Sequence, residues 1–388
     1  MKTINLILFF VVVFLTTRQV PFNSLSPLMN ISAVLFLLTG KFNFSSNQKT
    51  KNSQLLIIYF GISYLLILLP ISLLRGNDII LSSRFFLILF LIGSASFLSG
   101  KIEYIKIFMS LITIQSLVLI FGEIVFLSTN IYNPVIRNTS LSMGWGDIYK
   151  SGLFYKIQIK GNALIPLGLF ISIVSYKTKY RRIYIILNLL GLIIAGNFAF
   201  LLGLSFFLFL IYIKRLFYKK HSLHKLNYWA IIVASSFIVL ISKIYSFIMQ
   251  QIKLKGIESN PTRIDQIRVM WDNLDYNLLW GNGLGNLIKK KTVFRDYSNE
   301  YYYEIQNFYV LNQIGILGFF LYLLLNLVFI KTLRNIESRF IYISYIVYSL
   351  FNPYVFDTNH LIAIICCASL DVVIDKKNLK ILKRSCEI

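Results

Sequence analysis

Residues 54–99 contain two apolar blocks, QLLIIYFGISYLLILLPISLL (54–74) and IILSSRFFLILFLIGSASFLS (79–99), separated only by RGND. Each block is about 20 residues long, the length of helix that crosses the ~30 Å hydrocarbon core of a bilayer. Backbone polar groups inside a bilayer must be paired within their own segment, so such blocks are expected to be helices. This stretch therefore predicts a membrane protein built from transmembrane helices.

The composition of the whole chain has the same character. Of 388 residues, 56% are hydrophobic and 14% are charged, and the mean hydropathy is +0.68. The formal net charge of +23 is high enough to suggest a nucleic-acid partner. However, the basic residues lie in short clusters between apolar blocks, as they do in the loops of membrane proteins. We therefore expect membrane lipid, and no nucleic acid, among the partners.

Apolar blocks recur along the chain and predict an all-α polytopic integral membrane protein with about 12 transmembrane helices. The predicted spans are 3–17, 20–39, 54–74, 79–99, 104–127, 160–176, 182–196, 198–213, 228–249, 306–330, 339–352 and 358–374. Hydropathy alone leaves open whether 182–213 is one long helix or two. With one span fewer, every later loop would lie on the opposite side of the membrane.

The distribution of basic residues favours two helices in that region. With a cytoplasmic N-terminus, the even-numbered connections are basic, as in Lys214 and Arg215, whereas short odd-numbered connections such as 75–78 are nearly neutral. Cytoplasmic loops of membrane proteins carry this excess of lysine and arginine. The pattern predicts that both termini are cytoplasmic. Residues 1–388 then form a single membrane domain with two long extracytoplasmic loops, 128–159 and 250–305.

The second long loop contains a segment with the pattern of an amphipathic helix, residues 261–275. Its apolar residues share one face at helical spacing: Ile264, Ile267, Met270, Trp271 and Leu274. Arg263 lies in the first turn, and Arg268 lies beside the apolar face. The pattern predicts a helix that lies in the membrane interface.

Three glycines follow this segment in the sequence GNGLG, at positions 281, 283 and 285. Neither a preceding strand nor a βαβ unit is predicted here, so the run is not a dinucleotide-binding fingerprint. Glycine allows tight turns and close approach of the backbone to a ligand. Gly281, Gly283 and Gly285 are therefore candidate binding residues.

These segments, in this order, resemble the O-antigen polymerase and ligase superfamily, whose members are polytopic bacterial enzymes acting on undecaprenyl-diphosphate glycans. The matching positions are Arg263, Gly281, Gly283, Gly285, Asn307, Leu311, Gly315, Ile316, Leu317 and Gly318. Ligases of the superfamily typically carry a histidine immediately before the asparagine, where this chain has Gln306. Glutamine does not titrate near neutrality, which favours the repeat-unit polymerase, the Wzy type, over the ligase.

The resemblance implies an enzyme of the inner (cytoplasmic) membrane, which joins undecaprenyl-diphosphate-linked oligosaccharide units on the outer face of that membrane. A chain-length regulator and a flippase are the implied partners. Two alternatives stay open: the O-antigen ligase of the same superfamily, and a flippase or solute transporter. Twelve spans with both termini inside are common among transporters, but no internal repeat is visible.

The implied reaction needs cations for the diphosphate and a base for the acceptor hydroxyl. Arginine binds phosphate bidentately and stays charged, so the candidate diphosphate ligands are Arg263, Arg268, Arg137 and Arg84. Glu304 is the first candidate for the base, followed by Glu300 and Asp357. Asn307, Asp357 and His360 are further candidates for substrate contacts, and Glu123 is a candidate partner of Arg84. No metal or other cofactor is expected.

Overall fold

The computed structural model of the chain describes most of its length. The described residues are 2–17, 26–42, 48–129, 134–143, 145–151, 154–174, 180–218, 261–274, 277–294, 296–298, 303, 305–350, 352 and 354–385. Within these ranges the chain is mainly helical. The helices are α1 (Lys2–Thr17), α2 (Ser26–Leu38), α3 (Gln48–Leu74), α4 (Ile79–Ala95), α5 (Ile102–Thr129), α6 (Pro134–Ser142), α7 (Ile165–Val174), α8 (Arg181–Ala195), α9 (Phe198–Tyr218), α10 (261–274), α11 (Gln306–Thr332), α12 (Ile336–Ser349) and α13 (Thr358–Ser385).

Eleven of the twelve predicted spans coincide with a helix, and the remaining one, 228–249, lies outside the described residues. Five helical segments of the described chain are long and apolar enough to cross a bilayer. They are Lys51–Leu74, Ile102–Thr129, Phe198–Arg215, Gln306–Thr332 and Thr358–Asp375. Shorter apolar helices accompany them, including Ile79–Ala95. The protein is therefore a membrane-embedded, mainly helical protein.

The separation of α8 from α9 is confirmed. Gly196 ends α8 in the left-handed conformation (φ 60°), and its N–H donates to the Ile193 carbonyl at 3.0 Å. A glycine in this conformation is a common helix terminator. Ala199 N–H then donates to the Asn197 side chain at 3.0 Å as α9 begins.

The prediction of an all-α membrane protein is confirmed for the described residues, and the loop 128–159 adds a small element of sheet to it. This loop contains the short helix α6 and an antiparallel hairpin, β1 (Gly146–Ser151) and β2 (Phe154–Ile159). Along β2, Tyr155, Ile157 and Ile159 are buried in alternation. This alternation is the pattern of a half-buried strand. It covers only a few residues between two long apolar blocks that indicate helices, so it was not recognised in the sequence.

Helix α5 occupies a central position and packs against α1, α7, α8 and α13, while α11 packs on α3. Three tyrosines of α12 fill the core beside α13 and are fully buried: Tyr342, Tyr345 and Tyr348.

Contacts place the hairpin at one end of the bundle together with the α8–α9 turn, because a Cβ on Gly196 would meet the Lys156 side chain of β2. The start of α11 links the end of α12 to the α3–α4 turn: Asn307 donates to the Leu350 carbonyl, and Tyr309 and Asn77 bond the segment 284–286. We call this end of the bundle the hairpin end. The Asn197 side chain donates to that of Asn352 there at 3.1 Å.

Candidate functional site

Helix α11 is interrupted at Gly315, which has a non-helical backbone conformation (φ 66°, ψ −178°). A break in a helix removes the i to i−4 hydrogen bonds that cross it. The carbonyls before Gly315 and the N–H groups after it therefore need other partners, because an unpaired buried backbone group costs several kcal/mol in a bilayer.

The segment 277–286, which we call the glycine loop, supplies those partners. Its backbone N–H groups donate hydrogen bonds to the carbonyls before the break, and its carbonyls accept hydrogen bonds from the N–H groups after the break. The four bonds are Asn282 N–H to Asn312 O (2.7 Å), Gly283 N–H to Gln313 O (3.0 Å), Ile316 N–H to Leu278 O (2.9 Å) and Leu317 N–H to Leu279 O (3.2 Å). The Tyr64 hydroxyl of α3 donates to a fifth group, the Ile314 carbonyl, at 2.5 Å. The loop and the two halves of α11 form one hydrogen-bonded unit.

The three glycines of the loop are needed for this close packing. Gly281 has a φ of 72°, and a Cβ on it would lie closer than 3.0 Å to the Gln313 carbonyl and the Gly315 nitrogen. A Cβ on Gly283 would lie 2.8 Å from the Ser72 hydroxyl, and one on Gly285 would lie 2.7 Å from the Ser82 hydroxyl. These glycines allow the loop to approach the backbone and side chains of the protein closely, and their contact with a ligand stays a prediction.

The turn between α3 and α4 holds the other side of the glycine loop. Arg75 donates to the Gly281 carbonyl at 2.5 Å and to the Asn277 side chain at 3.2 Å. Asn77 donates to the carbonyls of Asn282 and Leu284, both at 3.1 Å. The short connection 75–78 is therefore a structural clamp for a loop about 200 residues away in sequence.

Asn312 connects the glycine loop to α10 and α11. Its amide donates to the Met270 carbonyl at 2.8 Å, and its side-chain oxygen is the acceptor for three other asparagines. These are Asn273 (3.2 Å), Asn282 (3.3 Å) and Asn286 (3.3 Å). Asn312 is fully buried. Its side chain fixes the position of α10 relative to the break.

We expect Asn312→Ala to destabilise the protein by about 3 kcal/mol, because it leaves several buried amide groups without partners. Thermal unfolding of the detergent-solubilised protein measures the loss. Asn138→Ala is the matched control, because Asn138 is exposed on α6 and its loss should shift stability by less than about 0.5 kcal/mol. An equal effect of the two substitutions would contradict the role assigned to Asn312.

The amphipathic helix is present at residues 261–274, and the protein buries only part of its apolar face. Met270 and Leu274 are buried as expected, together with Val269 and Gln266. The other apolar residues of the predicted face are exposed: Ile264 (61%), Ile267 (40%) and Trp271 (50%). Packing of α10 against α11 uses one half of the apolar surface, so the other half remains available to lipid.

The two acidic residues of α10 bind the segment that follows the glycine loop. Asp265 accepts hydrogen bonds from Thr292 (2.6 Å) and from the Tyr297 hydroxyl (2.8 Å). Asp272 pairs with Lys290 at 2.8 Å. Of the two arginines, Arg263 is half-buried in the first turn and Arg268 is exposed, so both remain candidates for anion binding.

Arg137 and Arg84 do not lie with the glycine loop in the contacts described. Arg137 forms a bidentate ion pair with Asp147 of β1, at 2.7 and 2.9 Å. Such a pair occupies the fork that would otherwise bind phosphate. Arg84 is exposed on α4. Glu123, its suggested partner, accepts the Tyr155 N–H at 2.9 Å and thereby anchors the hairpin to α5.

His360 is fully buried, and both ring nitrogens are engaged: Nδ1 with the Val355 carbonyl (2.7 Å) and Nε2 with the Tyr342 hydroxyl (2.8 Å). The ring also stacks against Tyr345 at a centroid distance of 5.5 Å. In this structure the residue is a hydrogen-bonding partner within the core, and its contact with substrate stays a prediction. Asp357 accepts from the Thr358 N–H at 2.6 Å at the start of α13, which is a local structural role.

Two other predicted site residues lie at the start of α11. Asn307 is half-buried and donates to the Leu350 carbonyl at 3.4 Å. Glu304 lies outside the described residues, as does Glu300. The candidate base Glu304 is therefore placed only by its position in the sequence, two residues before α11.

A polar cleft of about 680 Å³ opens at the hairpin end between the α3–α4 turn, the second half of α10 and residues 285–290. Its walls carry Arg75, Lys289 and Lys290, together with Asp78 and Asp272. Sequence reasoning missed Arg75, Asn77 and Asn312 as residues of this region. The available signal was the unusual density of asparagine around the glycines.

The fold and this site define a membrane-embedded helical protein in which a glycine-rich loop completes an interrupted helix. No protein-family model matches the chain. No curated protein matches it at a significant level either.

Proposed function

We propose that the protein is a polymerase that joins undecaprenyl-diphosphate-linked oligosaccharide units, in O-antigen or capsule synthesis. One observation supports this proposal: the glycine segment and the break in α11, which carry the superfamily resemblance and lie about 30 residues apart, form one structural unit. Gly281 and Gly283 of the glycine loop pack into the break at Gly315. Each motif is weak evidence for the superfamily by itself. The resemblance is stronger because residues of different motifs contact one another and form hydrogen bonds.

The proposal includes twelve spans, cytoplasmic termini and a hairpin end that faces away from the cytoplasm. Its support is the excess of lysine and arginine on the opposite connections, such as Lys177, Lys179 and Arg181. This orientation places α10 at the outer surface of the bacterial inner membrane. The exposed Ile264, Ile267 and Trp271 would then enter the outer leaflet beside the lipid-linked substrate.

In the proposed mechanism, Arg263 and Arg268 bind the diphosphate that leaves the anomeric carbon of the growing glycan. Permanent guanidinium charges stabilise the negative charge that develops on this leaving group. Glu304 accepts the proton of the attacking hydroxyl on the incoming unit. The hydroxyl oxygen forms a bond to the anomeric carbon as the bond to the diphosphate oxygen breaks.

Deletion of the gene from its host tests the function. We expect the surface lipopolysaccharide ladder to collapse to core with a single repeat unit, and the plasmid-borne protein to restore it. Loss of a ligase would instead leave unsubstituted core, because no glycan would be transferred. An unchanged ladder, together with unchanged capsule, would contradict the polymerase. Electrophoresis of extracted lipopolysaccharide separates these outcomes.

The interrupted α11 favours a transporter as the second candidate. Membrane transporters often bind their substrates at broken helices, where free backbone groups face a cavity. In this protein, however, the groups freed around Gly315 are paired with the glycine loop and with Tyr64. A flippase is distinguished by the deletion strain, because its loss would leave the lipid-linked unit on the cytoplasmic side.

A further inference from the structure

The polar cleft at the hairpin end contains more positive than negative charge that is available to a ligand. Asp272 is paired with Lys290 at 2.8 Å. Asp78 caps α4 by accepting the Leu81 N–H at 2.8 Å. A backbone N–H does not neutralise a carboxylate, so Asp78 keeps its negative charge. The described walls carry three cations, Arg75, Lys289 and Lys290, against the two carboxylates, and Arg75 and Lys289 have no carboxylate partner among the described ion pairs.

Arg75 is held in place by neutral acceptors only. Its Nη1 donates to the Gly281 carbonyl and its Nη2 donates to the Asn277 side chain. Neither bond neutralises the guanidinium, and in the described part of the chain no carboxylate lies within ion-pair distance of it. A guanidinium has more donors than these two bonds use. Arg75 is thus a fixed cation with free hydrogen-bonding capacity.

Lys289 also lines the cleft, on the segment that leaves the glycine loop. Its side chain is exposed, and no described carboxylate pairs with it. Its neighbour Ile288 is buried and fixes the backbone at this point. A guanidinium held by two hydrogen bonds and an exposed ammonium that line the same cleft are groups suited to bind phosphate oxygens.

We propose that this cleft is a phosphate-binding site, formed by Arg75 and Lys289, for a monoester or diphosphate group. The site is distinct from Arg263 and Arg268 and involves neither residue. Its volume of about 680 Å³ accommodates a phosphate group with part of an attached sugar or glycerol. The identification of that ligand as the lipid carrier rests on the proposed polymerase function, whereas the phosphate chemistry does not.

Titration of the purified full-length protein with inorganic pyrophosphate tests the site at constant ionic strength. We expect Lys289→Ala to weaken binding about tenfold, since it removes one charged contact. Lys291→Ala is the matched control, because Lys291 is an exposed lysine of the same segment that does not line the cleft; its effect should be less than about twofold. Equal effects of the two substitutions, or no binding by the unmodified protein, would overturn the proposal.

A second variant guards against loss of folding. Arg75→Gln retains an amide donor on the side chain but removes the charge and the bond to Asn277. We expect about tenfold weaker binding from a protein that is somewhat less stable but still folded. If Arg75→Gln unfolds the protein, its weaker binding says nothing about the cleft. The comparison of Lys289→Ala with Lys291→Ala then decides whether the cleft binds phosphate. Unchanged pyrophosphate binding in folded Arg75→Gln would remove Arg75 from the site.

Protein reconstituted in nanodiscs with and without phosphatidic acid identifies the source of the phosphate. Competition between this lipid and pyrophosphate assigns the cleft to a lipid headgroup, and lack of competition assigns it to a soluble phosphate. If Lys289→Ala and Lys291→Ala differ as expected but the deletion strain keeps its ladder, the cleft stands and the polymerase function fails. If the ladder collapses while the two lysine variants bind pyrophosphate alike, the polymerase function stands and the phosphate site in the cleft is refuted.

Discussion

Gly281→Ala should remove most of the folded protein. The left-handed backbone at this position costs an alanine roughly 1–2 kcal/mol. The added Cβ would also meet the backbone of Gln313 and Gly315, which cannot move without loss of the bonds that close the break in α11. We expect a total destabilisation of about 4 kcal/mol or more, against a usual stability of about 5–15 kcal/mol. Size-exclusion chromatography in detergent and thermal unfolding measure the loss.

Two other glycines separate the contributions to this effect. Gly76 also has a positive φ (78°), but a Cβ on it would meet nothing within 4 Å. Gly76→Ala should therefore cost only about 1 kcal/mol. Gly61, in α3, has neither constraint, and Gly61→Ala should cause no loss. If Gly281→Ala were no worse than Gly76→Ala, the close packing of the loop into the break would be refuted.

Arg263→Ala should abolish polymerisation while the protein still inserts in the membrane. Loss of a cation that stabilises the leaving diphosphate is expected to lower the rate at least about 100-fold. The lipopolysaccharide ladder of a deletion strain carrying the variant gives the readout, and immunoblotting of membranes gives the amount of protein. Normal polymer length in this variant would exclude Arg263 from the site.

The contact geometry follows from a second substitution at the same position. Arg263→Lys keeps the charge but cannot bind phosphate bidentately, so it should fail nearly as badly. Near-normal activity would instead indicate a simple point charge. Arg215→Ala is the control for loss of a cation, because Arg215 is exposed at the far end of α9, and it should leave the ladder unchanged.

These two substitutions act on different parts of one arrangement. Gly281 determines whether the glycine loop enters the break in α11, and Asn312 then couples the loop to the backbone of α10 at Met270. Arg263 lies at the first turn of that same helix. The position of Arg263, the proposed ligand of the diphosphate, is therefore set in part by a hydrogen bond formed about two helical turns away, at Met270. Rigid support of this kind is what preorganised binding groups require.

Part of the site followed from the sequence. The amphipathic pattern located α10 to within a residue, and the glycines indicated a tightly turning backbone. The face that α10 buries was assigned only in part, because apolar residues satisfy either a protein core or lipid, and periodicity does not distinguish the two. His360 was placed near the mouth of α13, but only the structure shows its ring between Tyr342 and Tyr345, at 5.8 and 5.5 Å.

The sequence by itself determined where the helices lie. Hydropathy and helix termination are local properties, so eleven predicted spans coincide with helices and α8 ends at Gly196 as expected. The interruption of α11 was decided by the tertiary structure. A break at Gly315 is stable only because the glycine loop, about 30 residues earlier, pairs the backbone groups that the break exposes. The stabilising partner is distant in the chain, so no local pattern reveals it.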